Sequence, residues 1–276
     1  MEIKLDTLTF TTKQIGKPLK GFTAPKIRTS QANFAGRDGG YVSGQFYAPR
    51  EIVIPLHLKE SNCADLEETR QAIASIPIRQ DLDMYVTSFG GTTRYTSVRL
   101  LDVDGDIEER FFFDPVLTLV ASDPYFYDAG DGSDPDTGWT EQTIYKIIGG
   151  GYVTPYILAI EWEEGATPSV VTNNGEITVY PQIILEDQWT NPVITNITTG
   201  FTVELNVTTT TGDIIIIDQN NQTVTLNGGN ILPSRDATSS SWWGLIPGNN
   251  TVSVTSDSGT DASTAIIRYK QGYLSI

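Results

Sequence analysis

Apolar and polar residues alternate with a period of two in several runs of this chain, the pattern of strands with one buried face. In the first half, Tyr41–Ala48 and Glu51–Leu58 alternate on either side of Ala48-Pro49-Arg50, and this spacing predicts a hairpin. Ile52, Ile54, Leu56 and Leu58 fall on one face of the second run, while Val53, Pro55 and His57 share the other. Pro55 has no backbone donor, so that strand is expected at a sheet edge or bulge. One stretch changes period. Ser61-Asn62 can cap a helix whose early acids include Asp65, Glu67 and Glu68, and whose apolar stripe is Leu66, Ile73 and Ile76. Pro77 ends it. Strands are then expected at Met84–Phe89, Tyr95–Val103 and Ile107–Val120, the last two joined by a turn at Asp104-Gly105.

From Asp128 to Gly138 the pattern lapses into an acidic segment rich in Gly and Pro, read as a linker or exposed excursion. Beyond it, β-branched runs return about every ten residues, as an antiparallel sandwich requires. They are Tyr156–Trp162, Ile177–Leu185, Val193–Ile197, Phe201–Val207, Ile214–Ile217, Thr223–Leu226, Thr251–Val254 and Ala265–Tyr269, with tight turns at Asn174-Gly175 and Asn227-Gly228. The fold class is therefore mainly β. An N-terminal β-rich domain with one helix (residues 1–127) is followed by an acidic linker (128–140) and an antiparallel β-sandwich (141–276).

Composition narrows the chemistry. A chain of 276 residues, 39% hydrophobic and 19% charged, suits two globular domains, and no apolar run approaches the roughly 20 residues of a membrane span. The opening residues carry no signal-peptide core, so synthesis and assembly are expected in a cytoplasm. A single cysteine, Cys63, and a single histidine, His57, exclude an internal disulfide and a Cys/His zinc site. The net charge of −16 is uneven: residues 1–127 hold 14 basic and 17 acidic side chains, residues 128–276 only 4 and 17. The second half is thus a poor match for nucleic acid. Between residues 7 and 37 the sign reverses, with Lys13, Lys17, Lys20, Lys26, Arg28 and Arg37 and no acid. This arm is either a solvated loop or a surface that docks on an acidic face.

Few constellations point to catalysis or ligands. His57 on an alternating run reads as a strand residue rather than a triad base. Asp102, Asp104, Asp106 and Glu109 surround Gly105 too early for an EF-hand loop, and the segment fits a hairpin turn better. Glu161, Glu163 and Glu164 are neighbours in sequence, which says nothing about two carboxylates facing across a cleft. Asp131, Asp134 and Asp136 read as solvated linker. Trp242-Trp243 could stack on a sugar, or one ring could pack between sheets while the other points outward. Packing is the better reading. Four Asn-x-Thr sequons, at Asn196, Asn206, Asn221 and Asn249, fit Thr- and Asn-rich strands. No catalytic residue, metal or cofactor is assigned.

Two stretches of the first half, GRDGGYVSGQFYAPREIVIPLHL (36–58) and LTLVASDPYFYD (117–128), resemble the siphophage distal tail protein family. In the second half the resemblance continues through NNGEITVYPQI (173–183), NPVITNITTG (191–200), GDIIIIDQNNQTVTLNGGN (212–230), WWGLIPGNNTVSV (242–254) and IIRYKQGYLSI (266–276). It implies an N-terminal domain that closes into a homo-oligomeric ring, usually of six copies, between the tail tube protein and the tail tip or hub protein. It also implies a galectin-like C-terminal sandwich that can hold a fibre or receptor-binding protein, and a place in the virion tail. No large insertion for a carbohydrate-binding module interrupts the sandwich. On this reading Lys13, Lys17, Lys20, Arg37 and Arg50 are the candidate ring-interface residues, facing the acidic run Asp102, Asp104, Asp106, Glu108 and Glu109 of a neighbour. Trp242 and Trp243 are the candidate carbohydrate or partner contacts. The alternative function is a lectin-like module recognising the host surface.

Overall fold

The computed structural model describes residues 1–59, 63–105, 112–130, 137–146, 168–257 and 263–276. They form two compact units, Met1–Gly138 together with Gly272–Ile276, and Trp139–Gln271.

The first unit contains β1 (Glu2–Leu5), β2 (Leu8–Thr11), β3 (Ile27–Asn33), β4 (Gly40–Tyr47), β5 (Arg50–Pro55), β6 (Leu58–Lys59), α1 (Cys63–Ala74), β7 (Leu82–Thr87), β8 (Thr93–Asp104), β9 (Phe112–Phe113), β10 (Val116–Ala121) and β11 (Phe126–Asp128). Its main sheet runs β2-β1-β7-β8-β10-β5, every neighbour antiparallel. The long β8 serves two partners. Thr93–Val98 pair with β7, and Arg99–Asp104 pair with β10 across a register shift. Ile3, Leu5, Ile52, Ile54, Met84, Leu117 and Leu119 are fully covered on its inner face, and α1 adds Leu66 and Ile73. The alternation predicted for residues 52–58 holds: Ile52, Ile54, Leu56 and Leu58 are buried, His57 is exposed, and β5 with Pro55 is the terminal strand.

Pairing, unlike facing, departs from the sequence reading. β4 does not turn back onto β5; it pairs with β3, while β5 pairs with β10. Alternation fixes which side of a strand is buried but not which strand lies beside it. The predicted strand Ile107–Val120 is also divided. Phe112–Phe113 pair with β6, and the strand beside β8 starts only at Val116, opposite Asp104. Asp104 ends β8, and residues 106–111, with the far side of the expected turn and the start of the expected strand at Ile107, lie outside the described residues. A Cβ at Gly105 would lie 2.7 Å from the Pro115 Cα, a close approach that accounts for the glycine.

The acidic seam is not a stretched tether at its ends. Asp128 closes β11, Ala129 is fully buried, and Thr137 Oγ1 donates to the Ala129 carbonyl at 2.6 Å. Gly130 and Gly138, both at positive φ, let the two ends meet, with residues 131–136 lying outside the described residues. The two compact units divide at Gly138/Trp139, within the expected linker 128–140, and the C-terminal β22 (Gly272–Tyr273) pairs with β11 inside the first unit.

The second unit is a sandwich. One sheet orders β12 (Thr140–Tyr145), β21 (Thr264–Tyr269), β14 (Gln182–Glu186), β17 (Ile214–Asp218), β18 (Thr223–Leu226) and β19 (Gly229–Asn230). The other orders β13 (Ser169–Asn173), β20 (Gly248–Thr255), β15 (Val193–Asn196) and β16 (Phe201–Glu204). Ile183, Leu185, Ile215, Ile217 and Ile267 are fully buried on the first, and Val171, Ile194, Val203, Val252 and Val254 on the second. Asn227 and Gly228, at φ 48° and 80°, form the predicted two-residue turn between β18 and β19. The expected strand Tyr156–Trp162 and the acids Glu161, Glu163 and Glu164 lie outside the described residues.

Candidate ring interface

The basic arm is not one loop. Residues 8–11 form β2, and the chain then runs along the open edge of β5. Gly16 N donates to the Pro55 carbonyl at 2.8 Å, Lys20 and Val53 exchange two bonds of 3.1 Å, and His57 N donates to the Gln14 carbonyl at 2.7 Å. The segment thereby covers a sheet edge that would otherwise offer unpaired donors and acceptors. Its backbone is used within the chain, but the side chains of Lys13, Lys17 and Lys20 remain exposed. At Gly21 the approach is closest: φ is 86°, and a Cβ would fall 2.2 Å from the Glu51 carbonyl oxygen.

Arg50 departs from expectation. It is 2% exposed, with its guanidinium over the Phe126 ring at 4.5 Å. Nε donates to the Pro124 carbonyl at 2.8 Å, one terminal nitrogen to those of Gly21 and Thr23 at 2.6 and 2.5 Å, and the other to that of Leu274 at 2.8 Å. Burial brings its pKa down to about 10, with the Asp123 carboxylate opposing the shift. A cation so enclosed cannot meet a partner's surface. Arg50 is a structural clip that ties the loop after the arm to the C-terminal segment.

Arg37 lies in a different place, at the end of a free-standing ribbon. β3 and β4 pair only with each other, and nearly every residue of both strands is exposed. Ile27, Tyr41, Val42 and Phe46 are 55–62% exposed, an unusual surface for four large apolar side chains. Residues directly opposite share a face, and the bulge between Thr29 and Ser30 shifts that phase once. Gly44, at φ 54°, takes up the extra residue. One face then carries Arg28, Phe46, Ala32 and Tyr41, with Arg28 5.8 Å from the Phe46 ring centroid. Phe34 lies 6.2 Å from Tyr41, and Arg37 stacks over Phe34 at 4.0 Å. Rings and guanidinium groups thus interleave along the ribbon, the side-chain types enriched at protein interfaces. Its foot is fixed by the edge-on contact of Tyr47 with Tyr125 at 5.9 Å.

Among the acids expected opposite the arm, Asp102 and Asp104 are exposed at the end of β8, while Asp106, Glu108 and Glu109 lie outside the described residues. His57 Nδ1 sits 2.7 Å from Asp114 Oδ1, with both side chains about half exposed on the surface. No group of three metal-ligating side chains occurs among the described residues. Of the two tryptophans, Trp243 is 1% exposed, its backbone N–H donating to Gln219 Oε1 at 3.1 Å, whereas Trp242 is half-buried under the Arg235 guanidinium at 4.6 Å. Trp243 is core, so no pair of rings is presented to a sugar.

The β3–β4 ribbon escaped the sequence reading because IRTSQAN does not alternate: a strand exposed on both faces has no buried side to mark it. The glycines at Gly39-Gly40 and Gly44 were the available signal.

Two family models match the chain. The siphovirus-type tail component C-terminal domain covers residues 174–273, and the phage tail protein RIFT-related domain covers residues 1–114. The chain belongs to the siphophage distal tail family. It is a structural component of the phage tail. Among solved structures, the Dit protein of phage SPP1, described as a paradigm of the hub adsorption apparatus in Gram-positive-infecting phages, is 14% identical. It aligns over 98% of both chains with a TM-score of 0.70. A chain of the phage p2 baseplate in its activated conformation with Sr aligns over 98% of this chain and 97% of its own, at 13% identity and a TM-score of 0.50. At such identities the likeness is one of fold. No curated protein sequence matches the chain.

Proposed function

We propose that copies of this chain close into a ring, six in number, that joins the tail tube to the tail tip in the virion. The first unit makes the ring contacts, and the sandwich is presented to a fibre or receptor-binding protein. The observation that carries this reading is the β3–β4 ribbon, which in a lone chain leaves Ile27, Tyr41, Val42 and Phe46 in water. A closed ring uses a heterologous contact, one surface of each copy meeting a different surface of the next, and a projecting ribbon suits such a contact. Lys13, Lys17, Lys20 and Arg37 supply exposed positive charge on the same unit, and Asp102 and Asp104 supply exposed negative charge. The protein then acts by assembly rather than catalysis.

A sugar-binding reading through Trp242 and Trp243 has less support, since the first is shielded on one face by Arg235 and the second is core. Sedimentation of the full chain beside a Val42→Glu/Phe46→Glu variant tests the proposal. Both positions are exposed, so the variant should fold. It should sediment as a monomer where the wild type sediments as a ring, and equal sedimentation of the two would remove the ribbon from the interface.

A further inference from the structure

The ribbon is one half of a contact, and the same unit offers a surface that fits the other half. Between α1 and the second half of β8 lies a groove of about 460 Å³. Ile76, Ile78, Leu100, Leu101, Val103 and Phe113 form its apolar lining. Ile78 and Leu101 are 69% and 61% exposed, so this apolar floor is open to water in the single chain. Its rim carries two exposed acids, Glu67 on α1 and Asp102 on β8. Among the described residues the one cation lining it, Arg70, is engaged by Glu67 at 2.8 Å.

The ribbon has the opposite properties. Its rings Tyr41 and Phe46 are exposed, and its charges are Lys26, Arg28 and Arg37 against the single Asp38. Seven strand residues at about 3.3 Å each extend it by roughly 23 Å, enough to reach a neighbouring copy. Two uncovered apolar surfaces of opposite charge on one chain are what a heterologous contact between identical copies requires.

We infer that the groove between α1 and β8 receives the aromatic face of the β3–β4 ribbon, with Phe46, Tyr41 and Arg28, from the next copy of this chain. This rests on the ring reading above and adds to it the receiving surface. Phe46 enters between Ile78 and Leu101, while Arg28 and Arg37 meet the rim carboxylates. Arg28 already lies over the ring of Phe46, so apolar and charged contacts arrive together in one register.

The test uses the full chain in a Cys63→Ser background, because Cys63 is exposed at the start of α1. Two differently tagged chains are co-expressed, one carrying Ser43→Cys on the ribbon face and the other Gln71→Cys on the groove. They are treated with a short bismaleimide. A covalent dimer carrying both tags is expected, at least tenfold above the level given by either variant expressed alone. In parallel, Leu101→Glu, at an exposed position, should weaken self-association at least tenfold with an unchanged circular dichroism spectrum. If rings form but the mixed dimer does not exceed the single-variant background, the groove is not the receptor and this inference falls while the ring reading stands. If the unmodified chain forms no ring, both fall.

Discussion

Removing the Arg50 guanidinium should loosen the first unit and leave the sandwich unaffected. The perturbation is Arg50→Met, which keeps a long apolar stem over Phe126 but deletes the charge. Four backbone carbonyls, of Gly21, Thr23, Pro124 and Leu274, then lose their donor in a site where the side chain is 2% exposed. A hydrogen bond to a charged donor contributes about 1.5–3 kcal/mol, but four such bonds are not additive, since loop carbonyls can turn toward water. Relief of the desolvation of a buried cation offsets part of the loss. The net cost should be about 3–5 kcal/mol. All five tryptophans lie between residues 139 and 271, so tryptophan fluorescence in urea reports the second unit, while far-ultraviolet circular dichroism reports both. With a slope of about 2 kcal/mol per molar urea, the first-unit transition should move down by roughly 2 M. The tryptophan transition should stay in place. Arg50→Lys should recover only part of the loss, because an ammonium cannot span four carbonyls with one planar fork. A first-unit shift below about 0.5 M, or one confined to tryptophan fluorescence, would refute the clip.

Gly21→Ala should destabilise the first unit by about 1–3 kcal/mol in the same urea assay, because its backbone has φ 86° and the added methyl would meet the Glu51 carbonyl. Burial pushes the Asp218 carboxyl up. The amides of Asn221 and Asn220, at 2.8 and 2.9 Å, and the side chains of Gln182 and Asn221 more than reverse this, and the net pKa lies below the usual value. A depressed folded pKa means stability that is complete above the unfolded value of about 3.9 and lost as pH falls through the folded one. The tryptophan-monitored melting temperature should therefore drop in that acid range. In Asp218→Asn, expected to cost about 1–3 kcal/mol at pH 7, this component of the drop should be missing. Reversing Lys13, Lys17 and Lys20 together to Glu should leave the circular dichroism spectrum unchanged but lower the ring fraction in light scattering. High salt should weaken the wild type moderately, since exposed pairs contribute about 0–1 kcal/mol each.

Much of the architecture is legible in the residues, and what is not has a physical cause. Period-two alternation identified the buried face of residues 52–58, because burial on one face writes itself into every second residue, and β-branched runs located β14, β15, β17, β20 and β21. The apolar stripe of Leu66 and Ile73 and the early acids located α1, while the expected cap Ser61-Asn62 lies outside the described residues, and Asn227-Gly228 announced its turn. Pairing was not legible. The run Tyr41–Ala48 has the composition of a strand but carries no mark of its partner, and the chain supplied β3, whose sequence has no buried face. The candidate interface was legible as charge and not as shape. Six cations without an acid drew attention to residues 7–37, yet the fold divides them among the edge-covering segment, the ribbon and its tip. Arg50 looked equivalent to its neighbours because a buried cation bonded to backbone carbonyls needs no acidic partner in sequence. The tryptophan pair was resolved as expected, with Trp243 inside and Trp242 half outside, although neither lies in a regular strand.

The most direct test of assembly is electron microscopy of the purified full-length chain in negative stain, paired with light scattering on the same sample. The account predicts closed rings with a central opening and a mass near six times the 30.2 kDa of the chain. Single particles of one chain's mass at micromolar concentration and low salt, with no rings in the field, would contradict it.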